Sequence, residues 1–183
     1  MNGYPPRVLP NRAPIKAPRV DSFSCYHPPM LRLVLTLLLL TLPSPAHADI
    51  TGKPRVVDGD TIHIGKAKIR LHGIDAPESK QTCTSDGKEW PCGQESTQAL
   101  AEAISDQPVT CEGDKRDRYK RLLAVCYVGD INLNAMLVRN GWALAYRKYS
   151  ADFVDDEAVA EKARVGIWRG EFEKPWEWRR SKR

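Results

Sequence analysis

The sequence offers only three phenylalanines in 183 residues and no Cys-x-x-Cys pair, so a thiolate zinc site lacks its usual spacing. No internal repeat is visible, which excludes solenoid and propeller architectures. No apolar run reaches the roughly 20 residues that a membrane-spanning helix needs. Surplus charge is also missing from most of the chain. The formal net charge is +5, but residues 1–48 hold five basic groups and one acid, leaving 23 basic and 22 acidic groups in residues 49–183. Binding of a polyanion by that longer portion must rest on where Lys and Arg stand, not on bulk attraction.

What is present begins with a leader. Residues 1–29 form a proline-rich extension without a periodic apolar face, and Met30 opens a pattern of Met-Leu-Arg, the apolar run Leu33 to Leu42, and the small-x-small exit Ala46-His47-Ala48. That layout predicts a signal peptide starting at Met30, cleaved after Ala48, and hence a secreted or periplasmic product with no stable membrane insertion. A retained anchor is the alternative. Four of the five cysteines, Cys83, Cys92, Cys111 and Cys126, follow the predicted cleavage site. An even count in an exported domain predicts two disulfides, and four cysteines allow three connectivities. The favoured one joins Cys83 to Cys92 around Asp86-Gly87 and Cys111 to Cys126 across a hairpin.

Alternating apolar residues predict short strands at 55–57, 61–64 and 67–71, broken by Asp58-Gly59-Asp60 and Gly65-Lys66, with further strands at 108–112 and 121–128. Helical spacing predicts helices over 94–105, over 132–140 with Gly141 as the cap, and from Asp152 to Gly166. Trp142 to Tyr146 can add an extended segment. The expected class is α+β, a domain over 49–170 built on a small five-stranded barrel with about three helices. A tail over 171–183, rich in Trp and Arg, is expected to pack on that domain.

The predicted hairpin brings Asp60 and Asp75 to one open end, where two carboxylates suit a hard, oxygen-seeking cation such as Ca²⁺. Both residues also suit turn capping. Glu78 follows Pro77, whose fixed backbone can present a carboxylate rigidly to a water. Arg70, and Arg121 on another strand, supply planar forks for the non-bridging oxygens of a phosphodiester. Arg118, Tyr119 and Tyr146 add cationic and aromatic faces for bases, although aromatics in the second half can equally fill the core.

Three ordered motifs then carry a resemblance: Val57-Asp58-Gly59-Asp60-Thr61; Ile69-Arg70-Leu71 with Gly73-Ile74-Asp75-Ala76-Pro77-Glu78; and Asp117-Arg118-Tyr119-Lys120-Arg121-Leu122. Together they resemble the thermonuclease, or staphylococcal nuclease-like, family over roughly residues 52–170. The resemblance implies a five-stranded OB-fold barrel with three helices and Ca²⁺-dependent cleavage of DNA and RNA to 3′-phosphate and 5′-hydroxyl ends. It implies Asp60, Asp75 and the backbone carbonyl of Ala76 as Ca²⁺ ligands, Glu78 as general base, Arg70 and Arg121 as phosphate clamps, and Arg118, Tyr119 and Tyr146 in the nucleotide pocket. The protein is expected to act as a monomer. A non-catalytic OB-fold module that binds nucleic acid is the alternative, and the complete set of acids argues against it. Ala76 stands where the family often has threonine, a change that a carbonyl ligand tolerates.

Overall fold

Strict apolar alternation and two tight turns set the first part of the sheet. The computed structural model describes residues 49–182, so the predicted extension, signal peptide and cleavage site after Ala48 lie outside the described residues. Strands β1 (Ile50–Gly52) and β2 (Pro54–Asp58) lead into β3 (Thr61–Ile64) and β4 (Ala67–Leu71). Ile62, Ile69 and Leu71 point inward with no exposed surface, while His63, Lys68 and Arg70 alternate to the other face. After short strands β5 (Ile74–Asp75), β6 (Cys83–Ser85) and β7 (Lys88–Trp90) come the two longest, β8 (Val109–Arg116) and β9 (Leu122–Val128). β9 runs parallel to β4, aligning Arg70 with Leu123, so that Arg121 is delivered beside the β3–β4 pair.

The strand order is β1-β8-β9-β4-β3-β2, with β10 (Ile131–Asn132) beside β9. This path is open, and no ladder joins β1 to β2 among the described residues, so the sheet is not the closed five-stranded barrel expected from the sequence. β1 is only three residues long, and β2 begins at Pro54, which has no N–H to donate. The α+β class holds. Two small sheets complete the strands: β11 (Leu144–Ala145), inside the extended segment expected over 142–146, pairs with β5, and an unforeseen hairpin pairs β6 with β7 around Asp86-Gly87, where both residues take positive φ, 51° and 72°, as a two-residue turn requires.

Among the described residues four α-helices stand where about three were expected: α1 (Cys92–Ile104), α2 (Leu133–Arg139), α3 (Val154–Ala163) and α4 (Pro175–Ser181). The fourth lies in the tail. Pro175 opens it, where a missing N–H costs nothing, with Glu177 in its first turn and Arg179 and Arg180 in its last, charges that favour the helix dipole. Its apolar residues Trp176 and Trp178 stand two apart rather than three or four, so no helical period shows in the sequence, unlike the equally short α2 with Leu133, Met136 and Leu137.

The main core lies between the sheet and α1 and α2, with Ile62, Ile69, Leu71, Leu100, Leu133 and Leu137 buried in it. Asn134 ties its polar edge: its side chain accepts from the Cys126 N–H at 3.1 Å and donates to the His72 carbonyl at 2.9 Å. A second cluster gathers Cys83, Cys92, Leu144 and Ile167, with Trp90, Trp168, Phe172 and Trp176 against it. The disulfides join Cys83 to Cys92 and Cys111 to Cys126, the first in the small cluster and the second between β8 and β9. No helix among the described residues is long and apolar enough to cross a membrane.

Candidate active site

The turn between β2 and β3 and the short strand β5 bury two acids side by side. Asp60 is 3% exposed and Asp75 has no exposed surface. Arg70, projecting from β4, bridges them: Nη1 donates to Asp60 Oδ1 and Nη2 to Asp75 Oδ1, the latter at 2.5 Å. Asp60 also accepts from the Thr61 hydroxyl at 3.0 Å and, through Oδ2, from the Ala76 N–H at 3.0 Å. Burial works against the Arg70 charge, but Asp60 and Asp75 outweigh it and hold its pKa above the ordinary value. Burial pushes Asp75 upward, with Arg179 and Arg70 pulling it back and Asp60 adding to the push.

Glu78 is fixed through its backbone. Its N–H donates to Gln81 Oε1 at 3.2 Å and its carbonyl accepts from the Gln81 N–H at 2.7 Å. Gly93 in the first turn of α1 packs on that same carbonyl, so closely that a Cβ there would stand 1.7 Å from the Glu78 oxygen. The start of α1 thus needs glycine, and the Glu78 backbone is held between Gln81 and the helix. Its side chain, 32% exposed, lines the open cleft.

Arg121 is oriented by the loop before β9. Asp117 Oδ1 accepts from the N–H groups of Tyr119 and Arg121, both at 2.9 Å, and Oδ2 accepts from Arg121 Nε at 2.8 Å. Burial raises the Asp117 carboxyl, but these donors outweigh it and hold it below the usual carboxylate range. Arg121 Nη1 donates to Thr61 Oγ1 at 3.4 Å, linking the loop to Asp60 through one hydroxyl. The Arg118 and Arg121 guanidiniums lie 4.8 and 5.5 Å from the centroid of the exposed Tyr119 ring. Tyr146 follows β11, held on either side by buried Glu157, which accepts from the Ala145 N–H at 2.9 Å and pairs with Arg147 at 2.5 Å.

These groups border an open cleft of about 1580 Å³, whose walls include Arg70, Glu78, Arg118, Tyr119, Arg121 and Tyr146. Asp60 and Asp75 do not line it; they lie beneath, behind Arg70 and Arg179. The arrangement therefore combines a basic, aromatic wall with an acidic floor.

The family described as Staphylococcal nuclease homologue matches residues 68–170. Micrococcal nuclease of Shigella flexneri is 35% identical over 170 residues, covering 82% of this chain and 92% of that protein. The chain belongs to the staphylococcal nuclease family. Among other relatives, the Succinoglycan biosynthesis protein ExoI of Rhizobium meliloti (strain 1021) is 35% identical over 144 residues, covering 76% and 75% of the two chains. An Uncharacterized endonuclease of Escherichia coli O157:H7 is 36% identical over 164 residues, covering 83% of this chain and all of that one.

For a member of this nuclease family, a divalent cation is the implied cofactor, and the donor set can be tested against it. The two carboxylates of Asp60 and Asp75 supply hard oxygens of the kind Ca²⁺ prefers, and the Ala76 N–H, donating to Asp60 Oδ2 at 3.0 Å, holds the backbone of Ala76 beside them. No cluster of three or more His, Cys, Asp or Glu side chains stands at metal-binding spacing among the described residues. The chemistry fits, with a backbone carbonyl needed to extend the two aspartates.

All nine sequence-predicted residues are found at or beneath the cleft. Asp60, Arg70, Asp75, Ala76 and Glu78 share one network; Arg121 joins it through Thr61; Arg118, Tyr119 and Tyr146 stand on the wall. Four neighbours were given no role in the sequence reading, although Asp58 and Asp117 stood inside its motifs. Asp58, pushed up to about 6 by burial and by Asp60, accepts from the Asp60 N–H at 3.1 Å. Asp117 and Gln81 orient Arg121 and Glu78. Arg179, from α4, bonds both Asp75 and Glu78.

Proposed function

We propose that the protein is a nuclease that uses Ca²⁺ to hydrolyse phosphodiester bonds of DNA, RNA or both, leaving 3′-phosphate and 5′-hydroxyl ends. The observation that carries this reading is one hydrogen-bonded group in which Asp60 and Asp75 lie beneath a basic, aromatic cleft and are joined through Arg70 and Arg179 to Glu78 on its wall. Family membership, and relatives named as nucleases, support it. A purely binding module has no use for three acids that repel a polyanion unless a cation intervenes.

In this reading Asp60, Asp75 and the Ala76 carbonyl hold the cation. When bound, it supplies positive charge between acids and phosphate. Glu78 orients a water and takes its proton as the water oxygen bonds to phosphorus. The bond from phosphorus to the 5′ oxygen breaks, and that oxygen takes a proton from solvent water in the open cleft and leaves as a hydroxyl. Arg70 and Arg121 match the charge that grows on the non-bridging oxygens, each with a planar fork. Arg118, Tyr119 and Tyr146 meet the bases and the flanking backbone.

Export to a secreted or periplasmic location is supported by the leader pattern and by two disulfides, which persist in oxidising compartments. A monomer suffices, since the whole residue set comes from one chain. The test is cleavage of single-stranded DNA and of RNA with Ca²⁺ and with chelator, with product ends identified by mass spectrometry. Calcium-dependent 3′-phosphate products are expected; absent or chelator-insensitive cleavage contradicts the reading.

A further inference from the structure

Arg179 occupies the ground between the two carboxylates that the proposed chemistry needs most. Its Nη1 donates to Asp75 Oδ1 at 3.0 Å and to Glu78 Oε1 at 2.8 Å, while Nη2 donates to Asp75 Oδ2 at 2.7 Å. Arg70 already donates to Asp75 Oδ1. A carboxylate offers about four lone-pair sites, and three of those on Asp75 are thereby taken. Asp75 lies beneath the cleft while Arg179 lines it, so a cation approaching Asp75 from the open side meets this guanidinium first.

The two arginines differ in how firmly they are held. Arg70 sits in mid-sheet between β3 and β9, with its side chain 16% exposed. Arg179 sits on a seven-residue helix near the chain end, with its side chain 32% exposed. α4 is docked by stacking of Trp176 on Tyr146, with centroids 5.1 Å apart and planes 4° apart, and just before it the Glu173 carbonyl accepts from Gln81 Nε2 at 2.6 Å. These contacts lie outside the β1-β8-β9-β4-β3-β2 sheet, so remaking them does not open it.

We propose that Arg179 is a positioning residue that competes with the divalent cation: it holds Asp75 and Glu78 in register and must leave Asp75 when the cation binds. The inference rests on the reading of Asp75 as a cation ligand. Cation affinity is then set partly by α4, a segment beyond the stretch matched by the family.

The test titrates CaCl₂ into the full chain by calorimetry, without nucleic acid, for the native protein, Arg179→Gln and Arg179→Lys. Hydrogen exchange of residues 175–181 is followed in the native protein alongside. Arg179→Gln is expected to bind Ca²⁺ about tenfold more tightly, because no charge-assisted pair has to be broken first. Arg179→Lys should fall between, since a point charge cannot fork across two oxygens. Calcium should speed amide exchange in α4 of the native protein. Equal or weaker binding by a folded Arg179→Gln, or α4 exchange unchanged on binding, overturns the competition and leaves Asp75 as a ligand. Binding by none of the three proteins overturns the cation reading and this inference with it. If Arg179→Gln does not fold, the lysine variant and the exchange measurement decide.

Discussion

Asp75 is gripped from two parts of the molecule that are built differently. Arg70 reaches it from β4, whose register is fixed by β3 on one side and β9 on the other. Arg179 reaches it from 104 residues away, on a helix docked against the disulfide hairpin and the cleft wall. Backbone pairing supports that second region as well: Thr84 and Glu171 exchange N–H and carbonyl at 2.8 and 2.7 Å, joining β6 to the tail. Arg169 lies 3.6 Å from the Trp90 ring centroid and pairs with Glu95 at 3.0 Å. The sheet thus supplies fixed geometry, while hairpin and tail form a smaller unit clasped onto it. Smaller, more peripheral units open at lower free energy than a core sheet does.

The largest effect should come from removing what both regions share. Asp75→Asn leaves two buried or half-buried guanidiniums short of a partner and is expected to destabilise the fold by about 3 kcal/mol, read from urea unfolding. A loss near zero would mean that neither arginine depends on the acid. Next, Arg70→Lys keeps the charge but loses the fork, and should slow cleavage by about 10²- to 10³-fold at saturating Ca²⁺. The same exchange at Arg179 should cost far less, and equal costs would erase the distinction between fixed and clasped arginines.

The disulfides sharpen the comparison. Their loops span 9 and 15 residues, so chain entropy assigns each about 3 kcal/mol, nearly the same amount. The location of the loss should differ. Replacing Cys83 and Cys92 by alanine should raise hydrogen exchange in the hairpin and α4 while β3, β4 and β9 stay protected; replacing Cys111 and Cys126 should loosen the whole sheet.

The smallest expected effect concerns Asp117. Its carboxyl lies below the usual range when folded, so its contribution to stability is complete above the unfolded pKa and is lost as pH falls through the folded value. Urea unfolding between pH 3 and 7 should show this acid limb flattened by about 1 kcal/mol in Asp117→Asn. An unchanged limb would show that the loop holding Arg121 does not depend on that carboxylate.

The sheet region was the legible one. Ile62, Ile69 and Leu71 announce their faces by alternation, the Asp-Gly and Gly-Lys turns fix where strands end, and the spacing from Asp60 to Glu78 puts the acids together. The clasped region was mostly silent. Helix α4 lacks apolar residues at helical spacing, and Arg179 and Arg180 in the sequence look like solvated tail charges; only the fold shows that one is half-buried against Asp75 and the other is exposed. Gln81 gave no signal either, since its role depends on Glu78 before it and Glu173 far beyond it. The four cysteines were visible, yet the hairpin that two of them staple was not. Closure of the barrel was overread, because strand propensity says nothing of whether two edge strands meet.

The most direct test of the central claim is single-turnover cleavage by Glu78→Gln set beside its affinity for the same DNA strand. The exchange keeps the shape and removes the base. The account predicts that the rate falls by about 10²- to 10⁴-fold while affinity changes by no more than a few fold. Equal losses in rate and affinity, or a rate close to that of the native protein, would contradict it.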